Sequence, residues 1–257
     1  MNPEWRARYE VAVDAARRAA QGALRHFGAG GAVEWKKDHS PVTAADREAE
    51  QLLRGTLLRA FPGDAFLGEE SGSLPGSSGY RWVIDPIDGT RNFVRGIPVW
   101  GTLVGLEYKD EQIAGVVELP ALGQRFRALR GDGAYQGERR IRVSDVTAFG
   151  EATVFYTSLS ALTHPGTREA LFRLVGRAQM ARGYGDCYGY LLVAQGSGEM
   201  MMEYGMNPWD IAAVRVIVEE AGGRWSNWDG GGSIHRPDSL ASNGRLHDEA
   251  LRVLRGS

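Results

Sequence analysis

Cysteine is almost absent from the chain, which has a single thiol, Cys187, in 257 residues. One thiol can form neither an internal disulfide nor a thiolate zinc cluster, so the reducing cytoplasm is the expected location. No apolar run approaches the roughly 18 residues that a membrane span needs. The charged N-terminal segment also lacks the apolar core of a signal peptide. We therefore expect no membrane partner.

An excess of either charge is also missing. Thirty Lys and Arg residues stand against thirty-two Asp and Glu residues, for a formal net charge of -2. Without a basic excess, we expect no nucleic-acid partner. None of the five histidines pairs with another at zinc-ligand spacing. The glycines of "GDGAYQG" stand at the wrong intervals for a dinucleotide fingerprint, and this stretch is predicted to be a hairpin.

The apolar pattern predicts a mixed α/β (α+β) chain. Helical spacing indicates a first helix that ends at Gly28 to Gly31 and a second that begins at a capping Thr43. Short β-type runs follow, and helical and β segments then alternate up to a helix from Trp209 to Glu220. We expect an N-terminal α+β lobe over residues 1–144 with an antiparallel sheet. A C-terminal α/β lobe over residues 145–257 should pack against it.

The stretch "WVIDPIDGTRNF" places two aspartates, Asp85 and Asp88, behind an apolar strand. Pro86 is expected to end that strand, and Pro86 with Gly89 should force a sharp turn. Both carboxylates and the carbonyl of Ile87 would then face one point. These are the oxygen ligands that Mg²⁺ prefers. A tight turn without a metal is the alternative interpretation of the same residues.

Further acids stand at the predicted edges of helices and strands: Asp46, Glu69, Glu70 and Asp210. Each also has an ordinary explanation. Asp46 could be a helix cap and nothing more, and the two glutamates could be a solvated loop pair. Asp210 could be a first-turn acid that interacts with the helix dipole. The presence of all these positions in one chain favours a metal centre.

Other phosphatase chemistries do not match the spacing. A haloacid-dehalogenase nucleophile needs two aspartates separated by one residue, whereas two residues separate Asp85 from Asp88. A cysteine phosphatase needs an arginine six positions after its cysteine, and Val193 stands there.

Thr90, which follows the expected turn, could hold a water or begin a helix whose first amides would receive a phosphate.

Four segments together resemble the inositol monophosphatase superfamily of metal-dependent, lithium-sensitive phosphatases: "SPVTAAD", "GEES", "WVIDPIDGTRNF" and "WDIAAVRVIVEEAGG". They cover nearly the whole chain in the family's order. The resemblance implies a layered αβαβα sandwich of the inositol monophosphatase / fructose-1,6-bisphosphatase type. It also implies a homodimer and a metal site between the lobes.

The resemblance further implies two or three Mg²⁺ ions per active site. Glu69, Asp85 and the Ile87 carbonyl would hold the first ion, and Asp85, Asp88 and Asp210 would hold a second against the leaving oxygen.

A water nucleophile completes the implied mechanism. Thr90 and Asp46, hydrogen-bonded to each other, would orient and deprotonate a water, with Glu69 as the catalytic ligand beside it. Glu70, next to that ligand, would support it without binding the metal. In-line displacement would then require no covalent intermediate.

A small phosphate ester is the expected partner, and several segments look closest to the histidinol-phosphate phosphatase branch. Asp186 stands where that branch has an acid, and Glu203 could supply a second carboxylate for an ammonium or imidazole group. Arg182 could pair with Asp186, while Gly89 and Thr90 would lie on the substrate side. The alternative for Asp186 is a helix cap.

Two other functions stay open. The "GTRNF" segment is equally typical of inositol-1-phosphate phosphatases. A macromolecule-binding regulatory protein is the alternative of another class.

Overall fold

The computed structural model describes residues 2–28, 33–35, 41–159 and 164–256. Residues 29–31, part of the expected end of the first helix, and Ser40 lie outside these ranges. Within the described ranges, no helix is both long and apolar enough to cross a membrane.

The first half of the chain carries one large sheet. Its elements in order are α1 (Pro3–Leu24), β1 (Val33–Trp35), β2 (Pro41–Thr43), α2 (Ala44–Ala60), β3 (Ala65–Gly68), β4 (Gly72–Leu74), β5 (Tyr80–Asp88), α3 (Thr90–Val94), β6 (Gly101–Tyr108), β7 (Glu111–Leu119), β8 (Gln124–Leu129), β9 (Gly133–Gln136) and β10 (Arg139–Ile141). Strands β3 to β10 form an eight-stranded sheet in the order β10-β9-β8-β7-β6-β5-β3-β4. All pairs are antiparallel except β3 with β5. The predicted "GDGAYQG" hairpin contributes β9, which pairs antiparallel with β10.

The second half carries a smaller mixed sheet. Its elements are β11 (Thr153–Tyr156), α4 (Thr167–Val175), β12 (Met180–Arg182), α5 (Asp186–Ala194), β13 (Met200–Tyr204), α6 (Pro208–Glu220), β14 (Arg224–Ser226), β15 (Asp238–Ser242) and α7 (His247–Arg255). The strand order is β12-β11-β13-β15-β14. The expectation that the pattern ends with α6 was wrong, because two strands and α7 follow it. These two strands are too short and polar to give a clear alternation of apolar and polar residues.

We propose that the boundary between the lobes lies in the segment 142–148, which has no regular structure and joins the two sheets.

Five layers result from the alternation of side chains along the strands. In β5, Trp82 and Ile84 pack on α1 and α2, whereas Val83 between them packs on α5 and α6. In β13, Met201 faces α5 and α6, and its two neighbours face α4 and α7 on the opposite side. The layers are therefore α1/α2, the first sheet, α5/α6, the second sheet and α4/α7. This is the αβαβα sandwich that the resemblance implied, and the predicted fold class is confirmed.

Two paired glycines let α6 approach the first sheet unusually closely. Gly105 of β6 lies directly opposite Gly115 of β7. A Cβ at Gly115 would lie 2.1 Å from the carbonyl oxygen of Ala213, and one at Gly105 would lie 2.7 Å from the Cβ of Ala212. Because α6 begins at Pro208, this contact fixes the distance between the first turn of α6 and the end of β5.

We predict that Gly115→Ala destabilises the protein by roughly 1–3 kcal/mol, because the new methyl group would push α6 away from the sheet. Chemical denaturation measures the change. Gly55→Ala is the matched control, since Gly55 lies on the exposed face of α2 with no atom within 4 Å of the added Cβ. That control should be neutral or stabilising by up to about 1 kcal/mol. Equal stability of the two variants would contradict the role of Gly115.

Candidate metal centre and active site

A bulge in β5 brings Asp85 and Asp88 to one side of the sheet. Asp85 pairs with Leu103 and Asp88 with Gly101, so β5 has one residue more than β6 between these two pairs. The expectation that Pro86 ends the strand was wrong. Proline lacks the N–H that a regular ladder needs, and the bulge accommodates it within the strand. The extra residue also turns two side chains three positions apart to the same face, where regular alternation would separate them.

Three carboxylates meet at this point. Oxygens of Asp85, Asp88 and Asp210 all lie within 4.8 Å of one another. Asp210 comes from the first turn of α6, where its carboxylate accepts a hydrogen bond of 2.7 Å from the amide of Asn207. Asp210 therefore lies in the first turn of a helix, as its ordinary explanation expects, and it also joins the cluster.

The surroundings favour protonation of these acids when no cation is near. Burial raises the pKa of Asp85 well above its usual value, and the neighbouring Glu69, Asp88 and Asp210 raise it further. Burial, followed by Asp186 and Asp210, raises the pKa of Asp88 in the same way. The pKa of Asp210 is raised to about 7, again mainly by burial. A bound cation would release these protons and balance the charge.

Asp46 and Glu69 lie beside this cluster. Glu69 acts electrostatically on Asp46, Asp85 and Asp210. The Oδ2 atom of Asp46 accepts hydrogen bonds from the amide and the hydroxyl of Thr43, at 2.8 and 2.6 Å. Within the described ranges, its Oδ1 atom is buried and has no hydrogen-bond partner. Asp46 therefore caps α2 and retains one free oxygen.

The expected hydrogen bond between Thr90 and Asp46 is not formed. The Thr90 hydroxyl instead donates to the Ile87 carbonyl, three residues earlier, at 2.9 Å. Such local bonds to a carbonyl of the preceding turn are typical of threonine. The Ile87 carbonyl keeps a second lone pair, so it can still contact a metal.

A pocket of about 710 Å³ opens onto the cluster. Its lining comes from both halves of the chain: Asp88, Gly89, Thr90, Arg91, Asn92, Thr157, Ser158, Gly183, Gly185, Asp186, Glu203, Tyr204, Gly205, Met206 and Asp210. Four of these residues are acidic and one is a cation, so acids outnumber cations in the lining.

Asp186 and Glu203 lie together in this pocket. The Asp186 amide donates to the Oε1 atom of Glu203 at 3.1 Å. The Asp186 carboxylate accepts from the side chain of Asn92 at 3.1 Å, and burial raises its pKa to about 6. Glu203 is 2% exposed, and within the described ranges its buried Oε2 atom makes no hydrogen bond of ordinary length, although the Tyr190 hydroxyl lies near this carboxyl.

The alternative that Asp186 caps α5 is not supported. Gly185 holds the cap position, and in the described ranges the Asp186 carboxylate accepts nothing from the amides of its own helix. Its backbone has φ 56°, a left-handed conformation that Asp and Asn tolerate better than most residues. This conformation turns the side chain toward α3.

The proposed ion pair between Arg182 and Asp186 was wrong for the described part of the chain. Arg182 lies on β12, at the edge of the second sheet, and its guanidinium donates to the Ala181 carbonyl. Arg182 also lies outside the pocket lining. The positive charge beside Asp186 belongs to Arg91, which partly offsets the rise in the pKa of that carboxyl.

Several pocket residues escaped the sequence analysis. Arg91 lies inside a motif that was recognised, and its charge could have indicated a role. Thr157, Ser158 and Tyr204 carry no such signal, because they become neighbours of the acids only through the packing of the two sheets. Glu70 contributes its backbone amide to a bond with Glu50 of α2, and it is not part of the three-carboxylate cluster.

The donor set suits a hard divalent cation. All the candidate ligands are oxygens, namely those of the three clustered carboxylates, of Glu69 and of the Ile87 carbonyl. Mg²⁺ and Ca²⁺ bind such groups, whereas zinc and copper sites are typically built from His and Cys. The unpaired Oδ1 atom of Asp46 adds an acceptor near Glu69.

Known proteins share both sequence and fold with this chain. A histidinol-phosphatase of Streptomyces coelicolor is 44% identical over 231 residues, with 86% of each chain covered. A histidinol-phosphatase of Mycobacterium tuberculosis is 43% identical, over 86% of this chain and 87% of that protein. An inositol-1-monophosphatase of Mesorhizobium japonicum is 32% identical, over 94% and 93%.

Among solved structures, the extragenic suppressor protein suhB of Bartonella henselae superposes with a TM-score of 0.90 at 31% identity. The superposition covers 96% of this chain and 97% of that one. Residues 4–256 also match the model of the inositol monophosphatase family. The molecule is thus a phosphomonoesterase of the layered α/β class. The chain belongs to the inositol monophosphatase family, whose members depend on metal ions.

We predict that Asp88→Asn stabilises the protein at pH 7.5 in EDTA by roughly 1–3 kcal/mol, because it removes one of several repelling buried charges. Because the pKa of Asp88 is raised in the fold, ionisation of this group favours the unfolded chain at pH values above the ordinary aspartate pKa. The gain should therefore shrink as the pH falls toward 4. Glu10→Gln on the exposed face of α1 is the control and should change little. Denaturation curves at both pH values measure the difference, and a destabilised Asp88→Asn would contradict the prediction.

Proposed function

We propose that the protein hydrolyses L-histidinol phosphate to histidinol and phosphate with Mg²⁺. The observation that carries the proposal is the pair Asp186 and Glu203, which adds two carboxylates to the pocket close to the candidate metal ligands. Histidinol carries an ammonium group and an imidazole that is partly protonated near pH 7. The similarity to two histidinol-phosphatases supports the same substrate.

The unpaired oxygen of Glu203 gives this proposal its physical basis. A buried carboxylate that forms no ion pair within the described ranges is costly, and the cost is recovered when a cationic ligand binds there. The pKa of Glu203 is raised well above its usual value by burial and by the nearby Asp186 and Asp88. A positively charged substrate would lower it again. Inositol, which is neutral, would gain less from this arrangement.

The residues proposed to hold Mg²⁺ are Glu69, Asp85, Asp88, Asp210 and the carbonyl of Ile87. When bound, the ions would supply the positive charge that favours deprotonation of water and balances charge on the leaving oxygen. Without that charge, the acidic cluster would repel a phosphate ester. We propose two or three ions per site, as the family resemblance implies.

Two further residues act on the nucleophile and the phosphate in this proposal. Asp46 would accept a proton from the attacking water through its free Oδ1 atom. Thr90, whose hydroxyl oxygen can still accept while it donates to Ile87, would orient that water. Gly89, with φ 80°, would let the backbone turn tightly between Asp88 and Thr90.

We also infer a homodimer in the cytoplasm. Strand β12 lies at an edge of the second sheet, and large apolar side chains on it and on the chain segments before and after it are exposed: Leu159, Phe172, Met180 and Tyr184. Such an edge with exposed apolar groups is suited to burial against a second copy. Sedimentation equilibrium should give about twice the chain mass of 28.1 kDa, and a monomer at micromolar concentration would contradict the inference.

The substrate is tested by phosphate release from histidinol phosphate, inositol 1-phosphate, fructose 1,6-bisphosphate and adenosine 3′,5′-bisphosphate. Histidinol phosphate should give the highest kcat/KM. Activity should disappear in EDTA and return with Mg²⁺. Turnover that persists undiminished in EDTA would contradict the metal requirement, and a preference for inositol 1-phosphate would contradict the substrate.

Asp186→Asn on the same panel tests the carboxylate pair. Asparagine also tolerates the left-handed backbone at this position, so the fold should be retained. We expect kcat/KM for histidinol phosphate to fall by roughly 2–4 kcal/mol, which is about 30- to 1000-fold, because a charged ligand group loses its partner. Hydrolysis of p-nitrophenyl phosphate should change little. Equal losses on both substrates would instead assign Asp186 a structural role.

A further inference from the structure

Glu50 is a buried carboxylate that neither the sequence motifs nor the proposed mechanism uses. It lies on α2 four residues after Asp46, on the same face of the helix, and is 2% exposed. In the described ranges it forms no ion pair with a cationic side chain. A buried charge without a counterion requires strong hydrogen bonds in compensation.

Two backbone amides supply these bonds. The Oε2 atom of Glu50 accepts from the amide of Glu70 at 2.8 Å, and Oε1 accepts from the amide of Ser71 at 2.8 Å. The preceding amide, that of Glu69, donates to the Ile84 carbonyl at 3.2 Å. Three successive amides of the loop between β3 and β4 are therefore held by α2 and β5.

Gly68 makes room for this carboxylate. A Cβ at position 68 would lie 2.5 Å from the Oε2 atom of Glu50 and 2.7 Å from the ring of Phe66. Any larger residue would displace the carboxylate from the loop. The glycine that precedes Glu69 is thus explained by a contact with α2.

The loop needs such an anchor because of the charges around Glu69. Asp46, Asp85 and Asp210 all lie close enough to repel its carboxylate. Whenever these acids are ionised, as they must be to bind a cation, repulsion would move a free hairpin loop away from the cluster. Charge-assisted bonds to two amides oppose that movement, since they are stronger than bonds between neutral groups.

We propose that Glu50 is a positioning residue that holds Glu69 at the candidate metal centre. The inference rests on the metal site of the proposed function. Glu50 acts through the backbone of Glu70 and Ser71 and contacts neither metal nor substrate. Outer partners of this kind typically change metal affinity by 10- to 100-fold when they are removed.

The test is Glu50→Gln, which retains one acceptor oxygen and loses the other. Titration calorimetry with Mg²⁺ should show affinity lower by about 10- to 100-fold. Amide hydrogen exchange in residues 69–74 should become faster in the metal-free protein. Glu48→Gln is the matched control, because Glu48 lies on the exposed side of the same helix and contacts His26. Its Mg²⁺ affinity and exchange should equal those of the wild type.

Gly68→Ala is a second, independent variant. It does not substitute Glu50, but the added methyl group should displace the Glu50 carboxylate from the loop. Mg²⁺ binding should therefore weaken as it does in Glu50→Gln. A variant that is less stable without metal and binds Mg²⁺ with wild-type affinity would overturn the positioning role. A wild-type protein that binds no Mg²⁺ would contradict the proposed function, and with it this inference. A wild-type protein that binds Mg²⁺, together with variants of the same affinity, would contradict only the role of Glu50.

Discussion

Repulsion among buried carboxylates is the constraint on which the rest of this structure depends. Asp85, Asp88 and Asp210 lie within 4.8 Å of one another, and Asp186 and Glu203 line the same pocket. No folded chain brings such groups together unless other interactions hold them there. The close contact of α6 with Gly105 and Gly115, and the bulge in β5, are two of these interactions. The remaining ones come from the backbone amides of three helices.

Three helices begin at the site, and a backbone amide at the start of each one donates to an acid. Asp46 accepts from Thr43 at the start of α2, and Asp210 accepts from Asn207 at the start of α6. Asp88 accepts from the amide of Cys187 in the first turn of α5 at 2.6 Å. The positive ends of the helix dipoles therefore point at the carboxylates and partly balance them. Capping and ligand binding are compatible roles here, because a carboxylate has two oxygens and the cap uses one.

The sequence predicted the layered fold and the family through motifs with characteristic spacing, since these motifs depend on local geometry. Asp85 and Asp88 could be paired because a turn or a bulge between them has few forms. The hydrogen bond of Thr90 could not be predicted, because a threonine hydroxyl can donate to the preceding turn as readily as to a distant acid. The expected ion pair between Arg182 and Asp186 was wrong for a similar reason. Nothing in a local pattern shows that β12 is an edge strand or that Arg91 lies nearer to Asp186. Glu50 was missed because its partners are backbone amides, which leave no trace in residue identity.

The bond between the Cys187 amide and the Asp88 carboxylate joins residues 99 positions apart, and Asp210 lies further still along the chain. A chain that ends before α6 lacks a member of the three-carboxylate cluster, and one that ends before α5 also lacks a wall of the pocket. During synthesis, the first sheet can pair its strands while its two aspartates have no third carboxylate to share a cation with. The three-carboxylate cluster is therefore complete only when the first turn of α6 has been made. On the function proposed above, activity would arise only late in synthesis, after both halves of the chain have contributed residues to the pocket.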